Sequence, residues 1–198
     1  MKISSFSVAA IAGLAAVGAM SNGALAQLPL PPSPCPSVLA QQPPPPSPCA
    51  RDPHFRDFDF WLGEWQVTNR ANGNLAGTNI ITSIEGACAL EERWTSSGGS
   101  TGTSINYYNP VRGQWRQIWV TGGAYAIDIV GGLNDQGAMV LEGTISYYRS
   151  GKSNRFRGTW TPNPDGSVRQ HFQQADAESG EWSDWFDGLY EKAQQGKD

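Results

Sequence analysis

The chain has 198 residues, of which 23 are glycine, 14 are proline and 16% are charged, against roughly a quarter charged in an average domain. So much glycine and proline argues against a helical bundle, and a net charge of −4 gives no electrostatic drive toward nucleic acid or anionic lipid. In chain order, residues 1–26 read as a secretory signal. Lys2 supplies a positive start, Val8 to Val17 an apolar stretch, and Ala24-Leu25-Ala26 a small-x-small cleavage pattern. A transmembrane anchor would need a longer apolar run and a basic stop-transfer flank. The expectation is an exported protein, periplasmic or extracellular, with no membrane span.

Residues 27–53 hold eleven of the prolines. Proline removes backbone donors and fixes φ, so this leader is expected to be extended, disordered and solvated. Pro31-Pro32-Ser33-Pro34-Cys35 recurs as Pro45-Pro46-Ser47-Pro48-Cys49, which suits a duplicated spacer; a docking peptide for a proline-binding partner is the alternative. In an oxidising compartment Cys35 and Cys49 can close a small loop, leaving Cys88 as a buried thiol in a strand. Cys88 can equally pair with a leader cysteine. With no Cys-x-x-Cys and no His-rich cluster, no metal site is expected.

From 54 to 192 the composition changes, with three prolines, nineteen glycines and twenty aromatics; residues 193–198 read as a flexible tail. Turn signals recur at short intervals, from Ala71-Asn72-Gly73-Asn74 through Asn109-Pro110 to Ala177–Gly180. They delimit ten segments that alternate rather than show a helical period. Trp115, Gln117 and Trp119 oppose Arg116 and Ile118; Phe156, Gly158 and Trp160 oppose Arg155 and Arg157; Val168, Gln170 and Phe172 oppose Arg169 and His171. The predicted fold is all-β, a single antiparallel up-and-down barrel of about ten strands, because closure hides every edge and short hairpins suit it. Gly77, Gly143 and Gly158 are expected at sharp bends.

The stretch Phe58-Asp59-Phe60-Trp61-Leu62-Gly63-Glu64-Trp65 contains the Gly-x-Trp that opens the first strand of lipocalin and fatty-acid-binding barrels. With Asn106-Tyr107-Tyr108-Asn109-Pro110, the run Trp160 to Gln170, and Phe186-Asp187-Gly188-Leu189-Tyr190, it resembles a group of uncharacterised bacterial lipocalin-like (calycin-type) barrel domains. The resemblance implies a barrel with one closed end and an internal cavity, with Gly63 and Trp65 in structural roles. Lipocalins usually stack a late Arg on that Trp; here the last strand offers Lys192.

Alternation places Glu92, Trp94, Trp115, Gln117, Trp119, Phe156, Trp160, Gln170 and Phe172 toward the lumen, joined by Asn106 or Tyr107 according to register. An apolar wall with a few convergent polar groups is the composition of small-molecule pockets, whereas a filled barrel would use the same groups to satisfy one another. One bulge would turn Glu92 outward. Glu91 and Glu92 point to opposite faces and cannot act as a carboxylate pair. The sequence thus points to non-catalytic binding of a small apolar or aromatic ligand. The alternatives are an enzyme using Glu92 as acid or base, and an envelope interaction module. No cofactor is expected: barrels resembling nitrobindin hold haem through a late histidine, as His171 is placed to do, but the glycine-rich opening of that family is absent. In Trp182-Ser183-Asp184-Trp185-Phe186-Asp187, apolar groups fall on both faces. Either the closing strand is packed from outside, by the leader or a second subunit, or a bulge returns Trp185 inward.

Overall fold

A computed structural model describes residues 47–193; the expected secretory signal at residues 1–26, Cys35 with most of the expected leader, and residues 194–198 lie outside them. Ten strands follow in order: β1 (Gly63–Asn69), β2 (Leu75–Ile84), β3 (Ala89–Ser96), β4 (Thr101–Asn109), β5 (Gln114–Thr121), β6 (Tyr125–Leu133), β7 (Met139–Tyr147), β8 (Lys152–Pro162), β9 (Val168–Ala175) and β10 (Trp182–Lys192). Each pairs antiparallel with its sequence neighbours, and β10 pairs with β1 to close the barrel. The turns are set locally. In the first hairpin Gly73 adopts φ +72°, a left-handed conformation cheap for glycine, and its N–H donates to the Asn69 carbonyl (2.7 Å). Among the described residues no helix is long and apolar enough to cross a membrane. The outer face carries ion pairs in mid-strand, such as Arg116–Asp128 and Arg169–Asp187.

One end of the barrel is plugged. Ahead of β1 the chain makes two 3-10 turns, Pro53–Arg56 and Asp59–Trp61, which push Phe58 and Trp61 up into the cylinder with no exposure to solvent. Phe58 stacks on Trp61 (5.0 Å between centroids) and meets Trp115 and Trp160 edge-on. Two indoles fix the plug by donating to its backbone, Trp65 Nε1 to the Trp61 carbonyl (2.9 Å) and Trp115 Nε1 to that of His54 (3.1 Å). Lys192 stands where lipocalins, which the opening motif resembles, usually have an arginine. Its ammonium lies 3.6 Å from the centroid of the Trp65 ring and donates to the Leu62 carbonyl (2.6 Å). Gly63, at φ +127°, leaves room for it, since a Cβ there would run into Lys192 Nζ.

The disulfide joins Cys49 to Cys88, so a Cys35–Cys49 loop does not form. Nor is Cys88 a buried strand thiol. The turn Glu85–Ala87 delays β3 until Ala89 and leaves Cys88 at its edge, within reach of the incoming chain. The last residues of the expected disordered leader are accordingly folded: Pro48–Ala50 forms a 3-10 turn held by this bond. Glu85 and Ala87 have positive φ, a strained choice for residues with a Cβ. The Arg56 guanidinium, which donates to the Ala87 carbonyl, and the neighbouring disulfide hold the turn there.

The ambiguous β10 resolves by a bulge. Its register with β9 shifts between Asp184 and Phe186, so Trp185 turns inward and its indole donates to the Tyr147 hydroxyl (3.1 Å). Trp182 stays outside, under the guanidinium groups of Arg155 and Arg157.

Candidate functional site

Above the plug, alternate residues of β2 to β5, β9 and β10 put a row of polar side chains on the inner wall. Glu92 is paired across the ladder with Ser104, and Asn106 with Gln117, so the side chains meet on one face. Asn79 Nδ2 donates to Glu92 Oε1 (2.7 Å) and to the Tyr190 hydroxyl (3.2 Å), which in turn donates to Gln170 Oε1 (2.7 Å). On the other side Ser104 Oγ donates to Glu92 Oε2 (2.6 Å) and accepts from Asn106 Nδ2 (2.8 Å); Gln117 Nε2 donates to Asn106 Oδ1 (2.9 Å). The opposite wall, from β6 to β8, is apolar, with Ile127, Ile129, Leu141, Ile145 and Phe156 buried there.

Glu92 is 2% exposed, and among the described residues it is the only buried side chain with a formal charge. Burial pushes its pKa up to about 7, although the hydrogen bonds from Ser104 and Asn79 pull the other way. Burial and the nearby Glu92 raise Tyr190 well above the phenol range, and burial raises Tyr125, so both hydroxyls stay protonated and able to donate.

Glu92, Gln170 and Tyr190 form the floor of a cavity of about 160 Å³ that opens at the end opposite the plug. Its walls are Trp94, Trp119, Tyr125, Trp185, Phe172 and Phe186, with Ile127 on the apolar side. The rings brace one another, as where Tyr125 meets Trp185 edge-on at 5.3 Å. The barrel is therefore half filled and half hollow. A floor of this kind can take up or give a proton near neutrality, or hold the polar end of a ring-sized molecule.

Of the residues that alternation turned inward, Glu92, Trp94, Trp119, Gln170 and Phe172 line the cavity. Asn106 and Gln117 are buried beside it and brace Glu92 through Ser104. Trp115, Phe156 and Trp160 are buried in the packed core instead. Tyr107 is a correction. The register that brings Asn106 inward sends Tyr107 to the outer face, opposite Arg116 and beside a surface groove. His171 is on the outer face too, 2.7 Å from Asp184; His54 stacks on Tyr108 at the barrel's plugged end. Sequence reasoning missed Tyr125, Tyr190 and Asn79. The last two lie two residues from Gly188 and Gly77 and share a face with them, but Ile80 and Leu189 on the opposite faces kept parity from choosing the inward side.

Fold and site together define a closed ten-strand antiparallel barrel with a polar-floored aromatic cavity at one end. The chain matches no family model and no curated relative.

Proposed function

We propose that this is an exported, calycin-type binding protein that holds one small, largely aromatic molecule in the open half of its barrel without converting it. The cavity carries the reading, with aromatic walls over a floor of Glu92, Gln170 and Tyr190. Its volume of about 160 Å³ is close to that of an apolar cavity able to hold benzene. The signal-like residues 1–26 support export, as does the Cys49–Cys88 disulfide, a bond that persists where the surroundings are oxidising. The opening Gly63-x-Trp65, with Lys192 over the indole, supports the calycin assignment.

Three tryptophans and two tyrosines stand around the cavity, so occupancy is readable by intrinsic fluorescence. Titration with a panel of single-ring compounds is expected to shift tryptophan emission saturably. Ile127→Phe, which places a ring in the cavity, is expected to abolish the response. Silence across the panel, or responses unaffected by that substitution, would remove the reading.

A further inference from the structure

The floor of the cavity holds a carboxylate without a counter-ion. Every lysine and arginine among the described residues lies outside the set of buried side chains, and both histidines are tied up at the surface with Asp57 and Asp184. Next to Glu92 the buried Asn79 Oδ1 also lacks a donor. Against these acceptors the cavity offers as donors the Gln170 Nε2 on the floor and the unpartnered Trp119 Nε1 and the Tyr125 hydroxyl on the walls, none of which brings a charge. An ionised carboxylate buried without a cation is costly, and that cost falls on the empty protein. Above it stand Trp94, Trp119, Tyr125 and Trp185, whose ring faces carry the negative side of the aromatic quadrupole.

We propose that the cavity is a site for a small organic cation, an ammonium-bearing molecule about the size of a single-ring amine, with its charge on the Glu92 carboxylate and its carbon surface against Trp94, Trp119, Tyr125 and Trp185. The proposal rests on the cavity being a ligand pocket, and adds the charge of what enters. An anion would be repelled by the carboxylate. A neutral hydrocarbon would leave the carboxylate unpaired. A bare metal ion is a poor fit, because no cluster of ligating side chains exists among the described residues and one carboxylate is too few for a hard cation.

Binding is then linked to protons in a defined direction. The groups facing Glu92 are Asn79 from β2, Ser104 from β4, Gln117 from β5, Tyr125 from β6, Gln170 from β9 and Tyr190 from β10. None of these titrates between pH 5.5 and 8, since both tyrosines are raised, which leaves Glu92 with its pKa of about 7. A cation binds the ionised form, so affinity rises with pH and levels off above about 7.

The test uses the intact protein and three probes of one shape, benzylamine, benzyl alcohol and benzoate, titrated calorimetrically from pH 5.5 to 8. At pH 8 benzylamine is expected to bind at least about tenfold more tightly than benzyl alcohol, with benzoate weakest. Its affinity is expected to fall toward that of benzyl alcohol on going to pH 5.5, by up to roughly thirtyfold, as Glu92 takes up a proton. Glu92→Gln should bring benzylamine down to the level of benzyl alcohol. Equal affinity for the three probes, or a benzylamine affinity indifferent to pH, overturns the cation site while the pocket survives. Binding of none of the three overturns both. The selectivity and pH profile of the unsubstituted protein decide the matter even if Glu92→Gln fails to fold.

Discussion

A carboxyl group kept at a pKa of about 7 by burial makes the fold less stable as pH rises. Below about 4.5 the side chain is protonated in both folded and unfolded chains and contributes no difference. Between 4.5 and 7 the unfolded chain ionises first, so unfolding grows easier, by about 3 kcal/mol once both states are charged. Glu92→Gln is therefore expected to match the parent protein near pH 4.5 and to exceed its stability by about 2–3 kcal/mol at pH 8, seen in paired urea melts. An equal effect at both pH values would mean that the charge is not what burial penalises. At this scale much was legible. The strict alternation around Glu92, Gln117 and Gln170 told their direction, since strand parity follows from backbone geometry alone. For Cys88 the strand-thiol and leader-pairing alternatives stayed open, and the second holds: its neighbours are apolar, but the positive-φ turn before it starts the strand one residue later. Tyr107 and Asn106 could be separated only by the pairing register, a long-range property.

Among the strands, glycines decide where side chains fit. Gly77, Gly143 and Gly158 were expected to mark bends, but the structure gives them, and Gly102, a different reason. A Cβ on Gly102 of β4 would enter the Trp119 ring, and one on Gly158 would meet Phe172 and Trp160. On Gly77 and Gly143 it would strike the backbone of the neighbouring strand. The cavity wall thus depends on a position with no side chain: Trp119 lies over the space that Gly102 leaves. Gly102→Ala is expected to cost about 1–3 kcal/mol and to weaken ligand responses by displacing that indole, measured by thermal melts and fluorescence titration. Retention of both would show that the ring yields without cost. Strand number and order were readable from turn chemistry, as hairpin after hairpin leaves little choice of neighbour. The bulge in β10 was not, because Trp182, Trp185 and Phe186 fit either face until Tyr147 and the Arg155/Arg157 pair claim them.

For the molecule as a whole, the plug and the disulfide work on the same end. The bond closes a separation of 39 residues, a loop for which chain entropy predicts about 4 kcal/mol. Reduction, or the Cys49→Ser/Cys88→Ser double substitution, is expected to lower stability by about 2–4 kcal/mol while leaving the aromatic cavity at the other end able to give its fluorescence response. Loss of that response alongside the melt would mean that the two halves are not separable. Which half of the lumen is hollow was beyond the sequence. It depends on how far Phe58 and Trp61 enter the cylinder, and a segment ahead of the first strand shows no period that tells its depth.

The pairing of β1 with β10 also bears on biosynthesis. A polypeptide emerging from its N-terminus presents β1 nearly a full domain before β10 exists. Until β10 emerges, β1 keeps one unsatisfied edge, whereas both sulfurs of the cross-link have emerged before β3 begins. The covalent tie can thus precede closure wherever the surroundings are oxidising, and a nascent protein stalled before its final strand would be sticky, dependent on whatever shields that edge.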